Sequence, residues 1–434
     1  MSSPAVGSVD APAMPEDFSY RLQASTLRGS VTVPGAKNSA LKLLTASLLT
    51  DQLIVLQNYP AQLLDAKLHV EMLERLGKRC TLDGDCLQIS ENGSPVPELT
   101  WSKRSIRNTL LMLGALTARH GHAAVPLPGG CKLGDRKFDL HVMVLEKLGA
   151  TVTEKDGQLM ATAGNGLVGT DIELPLRSTG ATENAILCGT LASRTTRIWN
   201  PHIRPEILDL IAMLRKMGAE IEVHGQEHIA VAGRPGGLCG AVHEVVADNL
   251  EAITWLIAAT ITGGDLTIRN FPASDLEVPL IHLRESGAKY FRMGDEVIVR
   301  DGRCYPVDIS TGPFPGINSD MQPLFAAFGA CARGESRIVD LRFPGRYAYA
   351  QEFRQLGVAC EIRDNLLIIN GGRRLTGTTV RATDLRAGIA LVLLGLVAGG
   401  ETIVEDAWQV ERGYSNFVQR LRSLGAQIEY RDAG

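Results

Sequence analysis

The chain alternates between two hydrophobic periods, and the alternation repeats. Stretches with apolar residues at helical spacing end in the pattern apolar-x-x-apolar-Gly, and a run with every second residue apolar follows. The copies are Leu73–Gly77, Leu145–Gly149, Leu214–Gly218, Leu283–Gly287, Phe353–Gly357 and Leu421–Gly425, with Ser286 the one polar departure. Their glycines stand 72, 69, 69, 70 and 68 residues apart. Such regular spacing is the mark of an internal repeat. Each glycine falls where a helix needs a left-handed residue to stop. In Ala150–Thr162 two alternating runs flank Asp156–Gly157, which predicts a hairpin.

Each unit also has an earlier part, in which a strand leads through a polar loop into a helix of small residues. Ser30–Leu49, Asp171–Ala192, Val242–Ala259, Val307–Cys331 and Thr378–Ala398 are examples. The unit therefore reads βαβαββ, and its Ala-, Gly- and Leu-rich helices suit close packing against one another. The expected class is α/β (α+β), with helices inside, sheets outside and three units in each of two domains. The sixth unit ends at Gly434 without its last strand, and Tyr20–Ser25 has the composition to supply it. Residues 1–17 are then a flexible tail. One domain runs over 36–236, and the other combines 18–35 with 237–434, with crossings near Gly35 and Gly236–Ala241. A ligand site is expected in the cleft between them.

A chain of 434 residues is too long for one core. Its net charge of -4 gives no general attraction to nucleic acid or anionic membrane, so any anion site must be a local cluster of Arg and Lys. The longest apolar run, Ala387–Gly400, is too short for a membrane span. Met1–Glu16 lacks the basic start and apolar core of a signal peptide. The eight cysteines form no CxxC pair, so the reading is a cytoplasmic protein with free thiols and no metal site.

Candidate chemistry falls in phase with the repeat. The loop before each small-residue helix carries Lys37–Asn38, Arg107–Asn108, Ser178–Thr179–Gly180, Asp248–Asn249, Ser319–Asp320 or Asp384–Arg386. Taken singly, each reads equally as a helix cap or a solvated charge. Recurring at equivalent positions, they would be gathered at one place, where helix N-termini favour phosphate and carboxylate. A second signal is Leu127–Arg136, in which Cys131 sits among glycines with Lys132 and Arg136 nearby. That setting favours thiolate, although Asp135 opposes it, and a structural thiol in a turn is the alternative. The other seven cysteines mostly lie in apolar runs and read as small core residues.

Seven segments in order resemble UDP-N-acetylglucosamine 1-carboxyvinyltransferases, an enolpyruvyl transferase family. They are Gly35-Ala36-Lys37-Asn38-Ser39, Pro128-Gly129-Gly130-Cys131, Arg136-x-x-Asp139-Leu140-His141, Gly180-Ala181-Thr182-Glu183-Asn184, Ser319-Asp320-Met321-Gln322, Asp384-Leu385-Arg386-Ala387 and Arg412-Gly413-Tyr414. The resemblance runs from about Tyr20 onward. It implies a two-domain inside-out α/β barrel and an alkyl-group transferase (EC 2.5.1.-) that needs no cofactor or metal. 5-Enolpyruvylshikimate-3-phosphate synthase shares the fold but not the cysteine loop.

By resemblance, Lys37, Arg136 and Arg412 hold the phosphate of phosphoenolpyruvate. Arg346 and Arg386 serve its carboxylate, and Arg107 also faces the anion site. Cys131 is the acid at C3, Asp320 is the base and Asn38 orients the acceptor. Asp139, Ser178 and Gly180 fall in substrate-binding motifs. The resemblance is weakest on the acceptor side. The usual Arg-Pro-hydrophobic-Asp reads Arg136-Lys137-Phe138-Asp139, and an Ala-Arg-Glu-Pro-Glu/Asp run becomes His202-Ile203-Arg204-Pro205-Glu206. Lys137, Phe138 and Arg204 are therefore acceptor-pocket candidates. The added charge suggests a smaller or more anionic nucleotide. Relatives in nucleoside-antibiotic pathways act on the 3′-hydroxyl of UMP; UDP-N-acetylglucosamine is the alternative acceptor. The partners expected are phosphoenolpyruvate and a uridine nucleotide, with no nucleic acid, membrane or obligate protein partner. A non-catalytic ligand-binding paralogue would have lost the cysteine, the base or the cations, and none is lost. An RNA 3′-terminal cyclase would need a basic surface.

Overall fold

The computed structural model describes residues 18–103, 106–128 and 138–432. Helices are numbered along the chain as α1 (Lys37–Ala46), α2 (Leu64–Arg75), α3 (Thr109–His120), α4 (Asp139–Lys147), α5 (Thr179–Leu191), α6 (Pro205–Lys216), α7 (Asn249–Ile261), α8 (Glu277–Glu285), α9 (Gln322–Cys331), α10 (Tyr349–Gln355), α11 (Leu385–Gly395), α12 (Trp408–Glu411) and α13 (Phe417–Ser423). The odd-numbered helices from α1 to α11 lie innermost. Every residue of α11 is buried, and so is every residue of α7 except Ile261. A helix that is apolar on all sides has nowhere to sit but a core. Small residues let these helices approach: a Cβ on Gly114 of α3 would stand 2.0 Å from Asn184 Oδ1 of α5.

The even-numbered helices up to α10 bury one face only. In α6 that face carries Ile207, Leu210, Ile211 and Leu214, at helical spacing. The glycines of the repeat end these five helices and α13 as expected, all six with φ between 91° and 96°. Sheets lie around the helices. In the first half they are Ala241–Glu244 beside Ile54–Gln57, Cys86–Glu91 and Lys78–Asp83; His122–Pro126, Gln158–Thr162 and Thr151–Lys155; and Glu220–His224, His228–Ala232, Thr196–Trp199 and Asp171–Glu173. The second half repeats the scheme around α7, α9 and α11. Two separate hydrophobic clusters mark the halves, one from Ala40 to Val245 and the other joining Phe18–Val33 to residues beyond Leu250.

The N-terminal strand Phe18–Gln23 lies antiparallel between Glu401–Glu405 and Ile428–Asp432, with Tyr20 opposite both Val404 and Tyr430. It fills the place left by the sixth unit's missing strand, two residues earlier than the Tyr20–Ser25 read from composition.

The crossing expected near Gly236–Ala241 lies further on. Ala241–Glu244 pairs in parallel with Ile54–Gln57, so this strand belongs to the first half and not to a 237–434 domain. Reciprocally, Arg28–Thr32 pairs in parallel with Asp265–Arg269 in the second half. The two halves thus exchange the strands that precede α1 and α7, and the chain crosses at 33–36 and 245–248. The crossing segments touch: Ala36 N donates to Val246 O at 2.7 Å and Asp248 N to Pro34 O at 2.9 Å. A Cβ on Gly35 would stand 1.9 Å from Asn58 O, so only glycine fits this crossing. Among the described residues, no helix is long and apolar enough to cross a membrane.

Candidate active site

The exchange of strands brings the leading ends of the inner helices to the gap between the halves. A cavity of about 1380 Å³ opens there, and every one of the six repeats reaches it. Asn38, Arg107 and Ser178–Gly180 line it from the first half; Asn249, Ser319–Asp320 and Asp384 line it from the second. Several of these helix starts have their own caps. Asp384 accepts from Arg386 N and Ala387 N, Asp248 from Leu250 N and Glu251 N, and Ser178 from Ala181 N. Their other N–H groups and partial positive charge bias the site toward anions.

Lys37 is buried at the start of α1, and its Nζ lies 3.1 Å from Asp65 Oδ2. Arg412 reaches the same carboxylate from the second half, with Nε 3.2 Å from Oδ1. Burial lowers the pKa of Lys37 most; Asp65 opposes that, while Arg412 and Arg386 add to it. Burial alone would raise Asp65, but Lys37 and Arg412 outweigh it and hold the carboxyl below its ordinary value. Asp65 is thus an internal counter-ion for two cations. It was not singled out from the sequence, where an acid in the first turn of a helix reads as an ordinary dipole partner.

Asp320 is likewise shared by two cations. Arg346 Nη1 lies 2.9 Å from Oδ1 and Arg386 Nε 3.4 Å from Oδ2. Arg346 Nη1 also donates to Ser319 Oγ at 3.1 Å. The structure therefore links Lys37 to Arg412 through Asp65, and Arg346 to Arg386 through Asp320, although these residues are far apart in sequence. Asp320 and Arg346 line the cavity; Lys37, Arg386 and Arg412 are not part of its wall, and buried Lys37 feels the charges of both Arg386 and Arg412.

On the opposite wall, Arg204 Nε and Nη2 grip Glu206 at 2.7 and 2.9 Å. Burial would lower the guanidinium pKa, yet Glu206, with Asp320 and Glu183 adding, keeps it raised and charged. His202 holds Thr179 Oγ1 through Nδ1 at 2.8 Å. Its pKa falls to about 4, through burial first and then the charges of Arg204, Arg342 and Arg177, so the ring is neutral. His141 is also neutral, pushed down to about 3 by burial and then by Arg107 and Lys42. It packs so closely on Gly180 that a Cβ there would stand 2.8 Å from Nε2.

Asp139 opens α4 and lines the cavity. Phe138, expected in the acceptor pocket, instead packs against the first half's core and is absent from the cavity wall. An aromatic ring against an apolar core gains more from that contact than from facing a charged gap. Cys131, Arg136 and Lys137 lie outside the described residues. Two charged groups inside inner helices, Lys42 of α1 and Glu183 of α5, were given no role from the sequence, although Glu183 falls within the Gly180–Asn184 motif; both line the cavity. Their signal was a charge in an otherwise apolar helix. Cys239 is exposed, unlike the small core residue expected, because it sits in the loop before Ala241–Glu244. Among the described residues no cluster of three or more His, Cys, Asp or Glu could hold a metal ion.

Comparison with known proteins agrees with this architecture. The family model for EPSP synthase (3-phosphoshikimate 1-carboxyvinyltransferase) matches residues 22–421. A UDP-N-acetylglucosamine 1-carboxyvinyltransferase of Caulobacter sp. (strain K31) is 40% identical over 413 residues, 93% of this chain and 94% of that one. The same-named protein of Finegoldia magna is 37% identical over 93% of this chain and 96% of its own length. The crystal structure of the enolpyruvyl transferase NikO from Streptomyces tendae superposes with a TM-score of 0.87 at 26% identity, covering 97% of this chain and all (100%) of that one. EPSP synthase from Acinetobacter baumannii, at 18% identity and a TM-score of 0.75 over 96% of this chain and 100% of that one, shares the fold. The chain belongs to the EPSP synthase family and is an enolpyruvyl transferase.

Proposed function

We propose that this enolpyruvyl transferase moves the enolpyruvyl group of phosphoenolpyruvate to the 3′-hydroxyl of UMP by addition and elimination. The hydroxyl oxygen adds to C2 while C3 gains a proton. The tetrahedral adduct then loses phosphate from C2 and a proton from C3, so the product is an enol ether and the atoms balance. Lys37, Arg412 and Arg136 take the phosphate, with Arg107 beside them; Arg346 and Arg386 take the carboxylate. Cys131 is the acid and Asp320 the base, and Asn38 orients the hydroxyl.

The geometry of Asp320 supports that division of labour. Two guanidinium groups hold its carboxylate in place. A substrate carboxylate competing for Arg346 and Arg386 would loosen that hold and free Asp320 to face the acceptor hydroxyl. Asp65 offers the corresponding exchange to the phosphate. Such pre-aimed cations stabilise charge as it shifts onto the leaving phosphate, without first reorganising solvent.

Arg204 carries the choice of UMP. It places a buried guanidinium on the acceptor wall, close enough to Asp320 and Glu183 to feel both. The buried Arg204–Glu206 pair is neutral as a unit, so its bulk and fixed polar groups, not net charge, favour a compact nucleotide over one that carries an N-acetylated sugar. Ser178, Gly180 and Asp139 would bind the nucleotide, and Lys137 is a further candidate from the sequence. A second reading, transfer to the 3-hydroxyl of UDP-N-acetylglucosamine, is favoured by the names of relatives 37–40% identical. Phosphate release from phosphoenolpyruvate, measured with UMP and UDP-N-acetylglucosamine side by side, decides between them. Release with UMP is expected; release with only the second would overturn the UMP assignment.

A further inference from the structure

Glu183 carries an unmet demand. Only 1% of its surface is exposed, yet its Oε1 has no hydrogen-bond partner. Its other oxygen lies 3.6 Å from Lys42 Nζ, too far for a good hydrogen bond. Lys42 Nζ donates instead to Asn108 Oδ1 at 3.0 Å, and the ammonium has further N–H groups to give. Both side chains line the cavity. A buried carboxylate oxygen left without a donor is unfavourable unless something else supplies one.

The helices fix what could do so. Lys42 lies four residues after Asn38 on α1, and Glu183 lies four after Thr179 on α5. Residues spaced by four share a helix face, so the pair sits directly below two cavity-lining groups. A nucleotide with its phosphate at the start of α5 and its reacting hydroxyl between Asn38 and Asp320 would place its sugar on the wall that carries this pair. A hydroxyl both donates and accepts, so it can give its proton to Glu183 and accept one from Lys42.

We infer that Glu183 and Lys42 bind a non-reacting hydroxyl of the acceptor's sugar, the ribose 2′-hydroxyl if the acceptor is UMP. This assignment rests on the nucleotide reading above. It makes Glu183 a specificity-determining residue that touches the acceptor and takes no part in the bond changes. The other charges facing it are Arg204, just before α6, and Glu206 in its first turn.

The experiment is a cycle of KM values for UMP and 2′-deoxy-UMP at saturating phosphoenolpyruvate. It compares the wild type with Glu183→Ala and with Glu183→Gln, whose shape is the same and which serves if the alanine variant does not fold. In the wild type, removing the 2′-hydroxyl should raise KM about tenfold. In the variants UMP should lose most of that advantage, while the KM for phosphoenolpyruvate stays unchanged. A variant that still prefers UMP by the wild-type factor overturns the subsite. So does one that raises both KM values equally, as a merely structural role would. A wild type that ignores UMP defeats the acceptor reading instead, and the 2′-hydroxyl assignment falls with it.

Discussion

The two walls of the cavity hold their charges differently. On the donor side each carboxylate is matched to two cations, Asp65 to Lys37 and Arg412, and Asp320 to Arg346 and Arg386. On the acceptor side Arg204 is satisfied by Glu206, but Glu183 and Lys42 meet only loosely. In the mechanism proposed above, Asp65 and Asp320 give up their cations to the phosphate and carboxylate of a donor that never varies. The acceptor wall keeps open valences, and there a change of residue can alter which molecule is recognised without disturbing the chemistry. The resemblance to the family follows the same division: it is strong on the donor side and weak on the acceptor side.

The sharpest way to break this comparison is Asp320→Asn. If the residue is the base and not just a tether for two arginines, kcat should fall about 100- to 10,000-fold with the fold intact. Circular dichroism and stopped-point phosphate assays check both halves of that statement. Near-normal turnover would remove Asp320 from the chemistry and leave it a structural counter-ion.

A smaller effect is expected from Asp65→Asn. Removing one partner of a buried ion pair costs about 3–5 kcal/mol, because the remaining charges stay buried. Here the remaining charges are Lys37 and Arg412, and they repel each other. The influence that raised the Lys37 pKa is lost while burial and Arg412 still lower it. The alkaline limb of kcat/KM for phosphoenolpyruvate should therefore move to lower pH. An unchanged limb would show that Lys37 does not act as a charged group in this step.

Much of the fold was legible because its signals are local. A glycine that must adopt positive φ after a helix leaves the same mark six times, and the period of apolar residues changes at each one. The strand before α1 was read into the second half, where it pairs with Asp265–Arg269, but the reciprocal placement of the strand before α7 was not legible. Ala241–Glu244 has the same alternation whichever sheet it joins, and its partner, Ile54–Gln57, is remote in sequence. The site divided similarly. Lys37, Asp320 and Arg386 stood out through their place in the repeat, and Arg412 through the resemblance to the family alone. Asp65 looked like any acid in a first helical turn, and Phe138 looked like a ligand contact until its apolar neighbours were known. Lys42 and Glu183 could have been flagged, since a charge among residues such as Ala40, Leu41, Ala185 and Ile186 has no solvent to face.

The mildest test concerns Glu183 and stability. Burial raises its pKa to about 7 from an ordinary 4.5, with Lys42 opposing. The folded protein therefore binds this proton more tightly than the unfolded chain does. Between about pH 4.5 and 7 the folded state holds more protons, so stability falls as pH rises through that window. Glu183→Gln removes the titration. Its melting temperature should equal the wild type's at the acid end and exceed it by a few degrees near neutrality, measured without ligand. Adding UMP should narrow that gap, because a donor on Oε1 favours the charged carboxylate. Parallel pH profiles for the two proteins would mean that Glu183 is already satisfied in solution, and the contrast between a closed donor wall and an open acceptor wall would lose its clearest instance.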